Sequence, residues 1–169
     1  MIEVRDHDPG WAGLARRAVD ELTGRFVVVE HVGSTAVPGL AAKPVIDLMA
    51  ATPALDGVIA AEDGLHALGY QRLETGMRER LFYRREGAPA YHLHVVTVAS
   101  WDTRNERLLR DHLLRHPADR DAYGALKREL AGAGHDGEGY TRAKTALIQR
   151  MVDAARRDKG LPLVDVWED

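Results

Sequence analysis

The sequence predicts an α/β protein in which a mixed β-sheet is flanked by helices and followed by a C-terminal helical layer. Three observations carry that expectation. Helix-periodic and strand-like segments alternate through the N-terminal half, a short loop joins two alternating segments in the middle, and the pattern beyond Ser100 is helical. At 169 residues and 45% hydrophobic content, the chain is long enough for one domain with a substantial core.

Asp8-Pro9-Gly10-Trp11 reads as a helix start, with Asp8 as N-cap and Pro9 in the first turn. Trp11, Leu14, Ala15, Ala18, Val19 and Leu22 follow at helical spacing and form one apolar face of a helix ending near Thr23-Gly24. Phe26 to Val29 is a β-branched run too short for a helix, which predicts a buried strand reaching about Val32. Residues 33–44 contain Gly33, Pro38, Gly39 and Pro44 and read as a loop. Val45 to Ala50 forms the next strand. Thr52-Pro53 restarts a helix with Leu55, Val58, Ile59, Leu65 and Leu68 on its core side and Gly69 at its end.

Arg80 to Arg85 and Tyr91 to Val98 alternate in strand fashion around Glu86-Gly87-Ala88-Pro89-Ala90, a hairpin loop that makes the sheet mixed. Helices follow to about His116, over roughly Ala118 to Ala131, and over roughly Tyr140 to Arg156 after a loop from Gly132 to Gly139. Leu147, Met151, Val152 and Ala155 give the last helix its buried stripe, and the tail after Gly160 packs through Leu161, Val164 or Trp167. Trp11, Phe26 and Phe82 are core candidates, as is Tyr140, which has base stacking as its alternative role.

The formal net charge of -3 provides no bulk attraction for nucleic acid or an anionic membrane, so neither is expected as a partner. With no cysteine, disulfides and thiolate metal sites are excluded. The N-terminal residues have no apolar signal core and no run is long enough to span a bilayer, so a cytoplasmic location is expected.

The chemistry concentrates between Glu30 and Asp47. A strand leads into a turn at Gly33, where a glycine lets backbone N–H groups approach a ligand and the hydroxyls of Ser34 and Thr35 add donors. Gly33, Gly39 and Lys43 suggest a P-loop, but Lys43 does not follow a glycine, Pro44 replaces the Ser/Thr, and a strand follows in place of a helix. The arrangement compares better with nucleotidyltransferases of the DNA polymerase β type, where a Gly-Ser turn precedes a strand whose acids hold divalent metal beside a triphosphate. Asp47 lies inside an apolar strand, on one face with Val45 and Met49, while Ile46, Leu48 and Ala50 take the other. A carboxylate there must be paired, hydrogen-bonded or metal-bound, and bonding to loop amides or a nearby Lys or Arg is the structural alternative.

Val4 through Trp11 and the long run from His31 to Asp47 resemble the GrpB family, as do His92 to Val95, Arg110 to Pro117, Tyr123 to Lys127 and Tyr140 to Lys144. The resemblance covers about Val4 to Ala155 and implies a nucleotidyltransferase-like fold, also found fused to dephospho-CoA kinase in some proteins, without implying a settled reaction. It frames residues 1–169 as a single GrpB-like domain, with an α/β core to about residue 99, helices to about 158 and a tail over 159–169. The chain departs from the superfamily's Asp-x-Asp pattern: Met49 stands in the second acidic position, and His92 and His94 stand where a third acid is expected. One carboxylate supplies few of the hard oxygen ligands that two Mg²⁺ ions want.

The candidate site therefore comprises Asp47 and His94 as catalytic groups. Gly33, Ser34, Thr35, Lys43, Arg110 and Lys144 are expected to hold the phosphates of a nucleotide or another phosphorylated small molecule. Asp47, His92 and His94 are the candidate ligands for Mg²⁺ or Mn²⁺. His92 and His94 share a strand face, where imidazoles hold a metal, act as general base, or bond to polar neighbours. Lys43 either neutralises phosphate or pairs with Asp47. Arg80, Arg84 and Arg85 read as solvated or salt-bridged. Three functions follow: a nucleotide- and metal-binding nucleotidyltransferase with an unknown acceptor, a non-catalytic module binding a nucleotide or phosphate ligand, and a histidine-centred metallohydrolase in which His31 could join a zinc or manganese site.

Overall fold

The first helix starts one residue later than expected: α1 runs over Gly10–Leu22 with Pro9 at its N-cap, and Asp8, just outside, accepts from the Gly10 backbone N–H through Oδ1 at 2.7 Å. The computed structural model describes residues 3–132 and 137–166, with 137–141 and 143 described by their backbone. Trp11, Ala15, Ala18 and Leu22 are buried, and Leu14 and Val19 flank them against the same core.

Five strands form one sheet: β1 (Val28–Val32), β2 (Val45–Thr52), β3 (Gln71–Leu73), β4 (Leu81–Arg85) and β5 (Ala90–Thr97). Their order is β1-β2-β5-β4-β3, with β2 and β5 parallel and every other pair antiparallel, so the sheet is mixed as expected. The expectation that the first strand is buried is corrected. β1 is an edge strand, only Val32 in it is buried, and Val27 just before it is 63% exposed. β3 leaves no mark in the sequence: its three residues on the opposite edge carry too little apolar pattern to show.

The single helix expected between Thr52 and Gly69 is two short ones, α2 (Leu55–Ala60) and α3 (Asp63–Ala67). Val58 and Leu65 are buried against the sheet, but the break turns Ile59 outward, where it is 36% exposed. Thr52 ends β2, so the cap-then-proline signal falls ahead of the actual start.

The sheet's two faces carry different neighbours. Ile46, Leu48, Ala50, Tyr83, Leu93 and Val95 pack with α1, Val58 and Leu65 in the main core. On the other face, Val32, Met49 and Val96 form a small apolar cluster with Trp101. Three helices follow: α4 (Asn105–Arg115), α5 (Pro117–Gly132) and α6 (Gly137–Asp158). Leu113, Tyr123, Ile148, Met151 and Val152 from these helices close over Val37 and Leu40 of the loop before β2. The last helix therefore begins before Tyr140. The side chains of Tyr140 and Trp167 lie outside the described residues, and Val166 is the tail residue that packs on this core. No helix among the described residues is long and apolar enough to cross a membrane.

Phe82 is not a main-core residue. Its register opposite His94 places it on the face of Asp47 and His92, where its ring meets both imidazoles with centroids 5.1 Å away.

Candidate functional site

The turn at the end of β1 is built around Gly33, whose φ of 76° lies in the left-handed region. A single 3-10 turn, Ser34–Ala36, follows. The two hydroxyls in it have different fates. Thr35 is buried; its hydroxyl donates to the Val45 carbonyl at 3.0 Å and accepts from His31 Nε2 at 2.9 Å. That commitment joins β1, the turn and the start of β2, so Thr35 shapes the turn although it also lines the cavity described below. Burial, with help from Arg110, pushes the His31 imidazole down to about 4, so at neutral pH the ring is uncharged.

Ser34 keeps its Oγ on the cavity side and accepts there from Lys127 Nζ. Lys127 is a site residue that the sequence does not single out, because charges on amphipathic helices usually face solvent. The signal was its position: Tyr123, Lys127 and Leu130 occupy one stripe of α5, and all three are buried. Lys127 also donates to the Ala41 carbonyl at 3.2 Å and lies 4.4 Å from the Tyr123 ring centroid. Burial chiefly, and then Lys144, lowers its ammonium to about 7, against the opposing pull of Asp47.

Asp47 points from the middle of β2 at Gly33 and the helical layer. Its pKa is pushed up to about 7 by burial, opposed by Lys144, Lys127 and Lys43. The side chain is nonetheless 28% exposed to the cavity mouth. His92, opposite it in register, places Nδ1 3.6 Å from Asp47 Oδ1. His94 places Nε2 3.9 Å from the same oxygen. Arg80, which can only donate, lies with its NH1 3.3 Å from His94 Nδ1, so the His94 proton is on Nε2 and its lone pair is occupied. Burial holds His94 near 4. The ring is a neutral donor toward Asp47, an arrangement poorly suited to the general-base role expected from sequence. Among the described residues, no group of three or more His, Cys, Asp or Glu side chains is placed to hold a metal ion.

The structure brings Ser34, Thr35, Lys43, Asp47, His92, Lys127 and Lys144 to one cavity of about 270 Å³. A second cavity of about 200 Å³ shares Ser34, Asp47 and Lys144 with it and is walled by Leu109, Leu113, Tyr123 and Ile148. Gly33 and Arg110 line this second space. Arg110 is not a free phosphate donor: it bonds Glu30 Oε1 at 2.8 Å, the His31 carbonyl at 3.1 Å and Asp111 at 3.0 Å. Together with Arg107 it holds the Glu30 carboxyl below its ordinary value and fastens α4 to β1. Arg80 pairs with Glu106 at 2.6 Å, Arg84 with Glu86, and Arg85 lies over Tyr91, so the hairpin arginines are ion-paired or ring-stacked.

A family model described as GrpB protein matches residues 1–154. A UPF0157 protein of Pseudomonas aeruginosa is 34% identical over 174 residues, which cover 96% of this chain and 71% of the relative. Among solved structures, conserved protein GrpB from Enterococcus faecalis matches with a TM-score of 0.80 and 26% identity, over 94% of this chain and 99% of that one. Terminal uridylyl transferase 4 from Trypanosoma brucei, solved with bound CTP, matches with a TM-score of 0.51 and 17% identity, over 95% of this chain and 54% of that one. The last is a likeness of fold, and it makes the sheet and its helices nucleotidyltransferase-like.

Proposed function

The chain belongs to the GrpB family, and from that premise we propose that its lysine-lined cavity binds a phosphorylated small molecule of the nucleotide class. One observation carries the reading: Lys43, Lys127 and Lys144 converge with Ser34 on a space whose lining, among the described residues, holds a single carboxylate, Asp47. Cations and a hydroxyl around a small polar cavity are the recognition chemistry of phosphate. That the uridylyl transferase of similar fold holds CTP supports the nucleotide class.

Among the described residues, the donor set does not fit a pair of divalent cations. Met49, in the position of a second acid, is buried in the apolar cluster with Val32 and Val96. Glu106, which lines the second cavity, has Oε1 bonded to Arg80. The nearest nitrogens to Asp47 Oδ1 on β5 belong to His92 and His94, whereas Mg²⁺ prefers oxygen. Lys43 and Lys144 line the same cavity and bring positive charge to a phosphate there. Binding, without a metal-assisted transfer step, is the function this geometry supports best.

Thermal unfolding with a panel of nucleotides and coenzyme A precursors tests it, each with Mg²⁺, with Mn²⁺ and with chelator. A ligand at about a hundred times its Kd adds about 2.7 kcal/mol of stability. We expect a shift that persists in chelator and shrinks in Lys43→Ala, a substitution at an exposed side chain. A panel that shifts nothing overturns the reading. A shift that requires metal and is lost in Asp47→Asn would replace it with metal-dependent nucleotidyl transfer.

A further inference from the structure

We propose that Ser34 and Lys127 form a nucleophile–base pair that removes a small apolar acyl group from a phosphorylated alcohol or thiol. The phosphorylated part of that substrate rests on the binding reading above, while the nucleophile–base pair itself does not.

Two hydroxyls occupy the turn after Gly33, and they have different partners. The Thr35 proton goes to the Val45 carbonyl. Ser34 Oγ faces the Lys127 amine, which is also bonded to the Ala41 carbonyl. These two contacts survive loss of a proton from Lys127. A neutral amine still donates to the Ala41 oxygen, and its lone pair then accepts from the Ser34 hydroxyl. Lys127 is 4% exposed, so bulk water does not compete for that lone pair. Its low proton affinity follows from the same burial and from Lys144 nearby. A Ser-Lys pair performs acyl transfer on unrelated folds, recognised by geometry and not by chain position.

The surroundings suggest the substrate class. Ser34 stands where the two cavities meet. On one side Lys43 and Lys144 fit a phosphorylated leaving group. On the other, Leu109, Leu113 and Ile148 bound a space of about 200 Å³, enough for a short acyl chain. In the first step Ser34 Oγ forms a bond to the acyl carbon while its proton passes to Lys127 Nζ. The tetrahedral intermediate collapses, the bond to the alcohol oxygen or thiol sulfur breaks, and that atom takes the proton from Lys127. Water then attacks the Ser34 ester, again giving a proton to Lys127, and releases the carboxylic acid with Ser34 restored.

The test is covalent labelling of the full chain with an alkyl fluorophosphonate, followed by mass spectrometry and peptide mapping. In that reaction the Ser34 proton goes to Lys127 and fluoride leaves phosphorus. We expect one adduct per chain on Ser34, none in Ser34→Ala, and a labelling rate at least a hundredfold lower in both Lys127→Met and Lys127→Arg. Arginine separates the roles, because it can replace a cation that merely holds Ser34 but cannot act as a base. No adduct on folded wild-type protein, under conditions that fully label a serine hydrolase control, overturns the proposal. So does wild-type labelling of Lys127→Arg. The probe carries no phosphate dianion, so failure of the nucleotide panel leaves this result standing. Absence of labelling alongside a nucleotide-induced melting shift removes only the nucleophile–base pair.

Discussion

A β-carbon built on Gly33 would lie 2.6 Å from Asp47 Oδ2 and 3.0 Å from Asp47 Cβ. The carboxylate therefore occupies the space that any other residue at position 33 would fill, and the turn can hold its left-handed backbone only because no side chain is there. Gly33→Ala is expected to cost about 2 kcal/mol in urea unfolding, from backbone strain and displacement of the carboxylate. Combining it with Asp47→Ala should recover part of that loss, since two residues in contact do not add. Full additivity would show that the contact is not what makes glycine necessary.

Asp47 makes stability depend on pH in an uncommon direction. Its folded value of about 7 lies above the ordinary 3.8, so the folded chain binds a proton that the unfolded chain has released. Stability from this group is therefore full below about pH 4 and declines as pH rises toward 7. Asp47→Asn removes the dependence. The variant's unfolding free energy relative to wild type should climb between pH 4 and 7, by about 2 kcal/mol once partial exposure and the lysines are allowed for. A flat difference across that window would mean that the carboxylate is already ionised at low pH.

His31 acts with the opposite sign. Its folded value of about 4 lies below the ordinary 6.5, so the unfolded chain takes up a proton that the folded chain refuses. Its contribution is intact above pH 6.5 and is lost as pH falls toward 4. His31→Gln keeps a donor for Thr35 but cannot titrate. It should narrow the wild-type loss over that interval by about 1–2 kcal/mol, read from guanidinium unfolding at matched pH values.

Glu30 holds two guanidinium groups, with Arg107 Nε at 3.1 Å and Arg110 NH1 at 2.8 Å. Glu30→Gln leaves both cations partly buried with one neutral acceptor between them. We expect a loss of about 1–3 kcal/mol and faster amide exchange in α4, the helix the pair fastens to β1. Unchanged exchange in α4 would place the anchoring elsewhere.

The sequence displays these features unequally. The apolar face of α1, the alternation around Asp47 and the turn at Gly33 depend on local spacing, which a single chain makes visible. Position in the sheet does not: Phe26 to Val29 reads as buried because it is β-branched, yet β1 is an edge. β3 escapes because its three residues owe their structure to pairing with β4. The break between α2 and α3 leaves Ile59 outside although its spacing suits a core. At the site, Asp47 and Ser34 are legible because a carboxylate inside a strand and a hydroxyl after a turning glycine are both conspicuous. Lys127 is harder to recognise, since it shows only as a charge at an apolar position of α5. The attachment of Arg110 to Glu30 is a contact between residues far apart in the chain, which spacing cannot reveal.

The cavity draws Ser34, Lys43 and Asp47 from the sheet side, and Lys127 and Lys144 from the helices that close over it. A ligand touching both groups would act as a rivet between two layers of the molecule. Its occupancy would register at a distance, as slower amide exchange along α5 and α6 and as resistance to proteolytic release of those helices. By the same linkage, any force or substitution that lifts the helices from the sheet would release the ligand while leaving the strand that carries Asp47 in place.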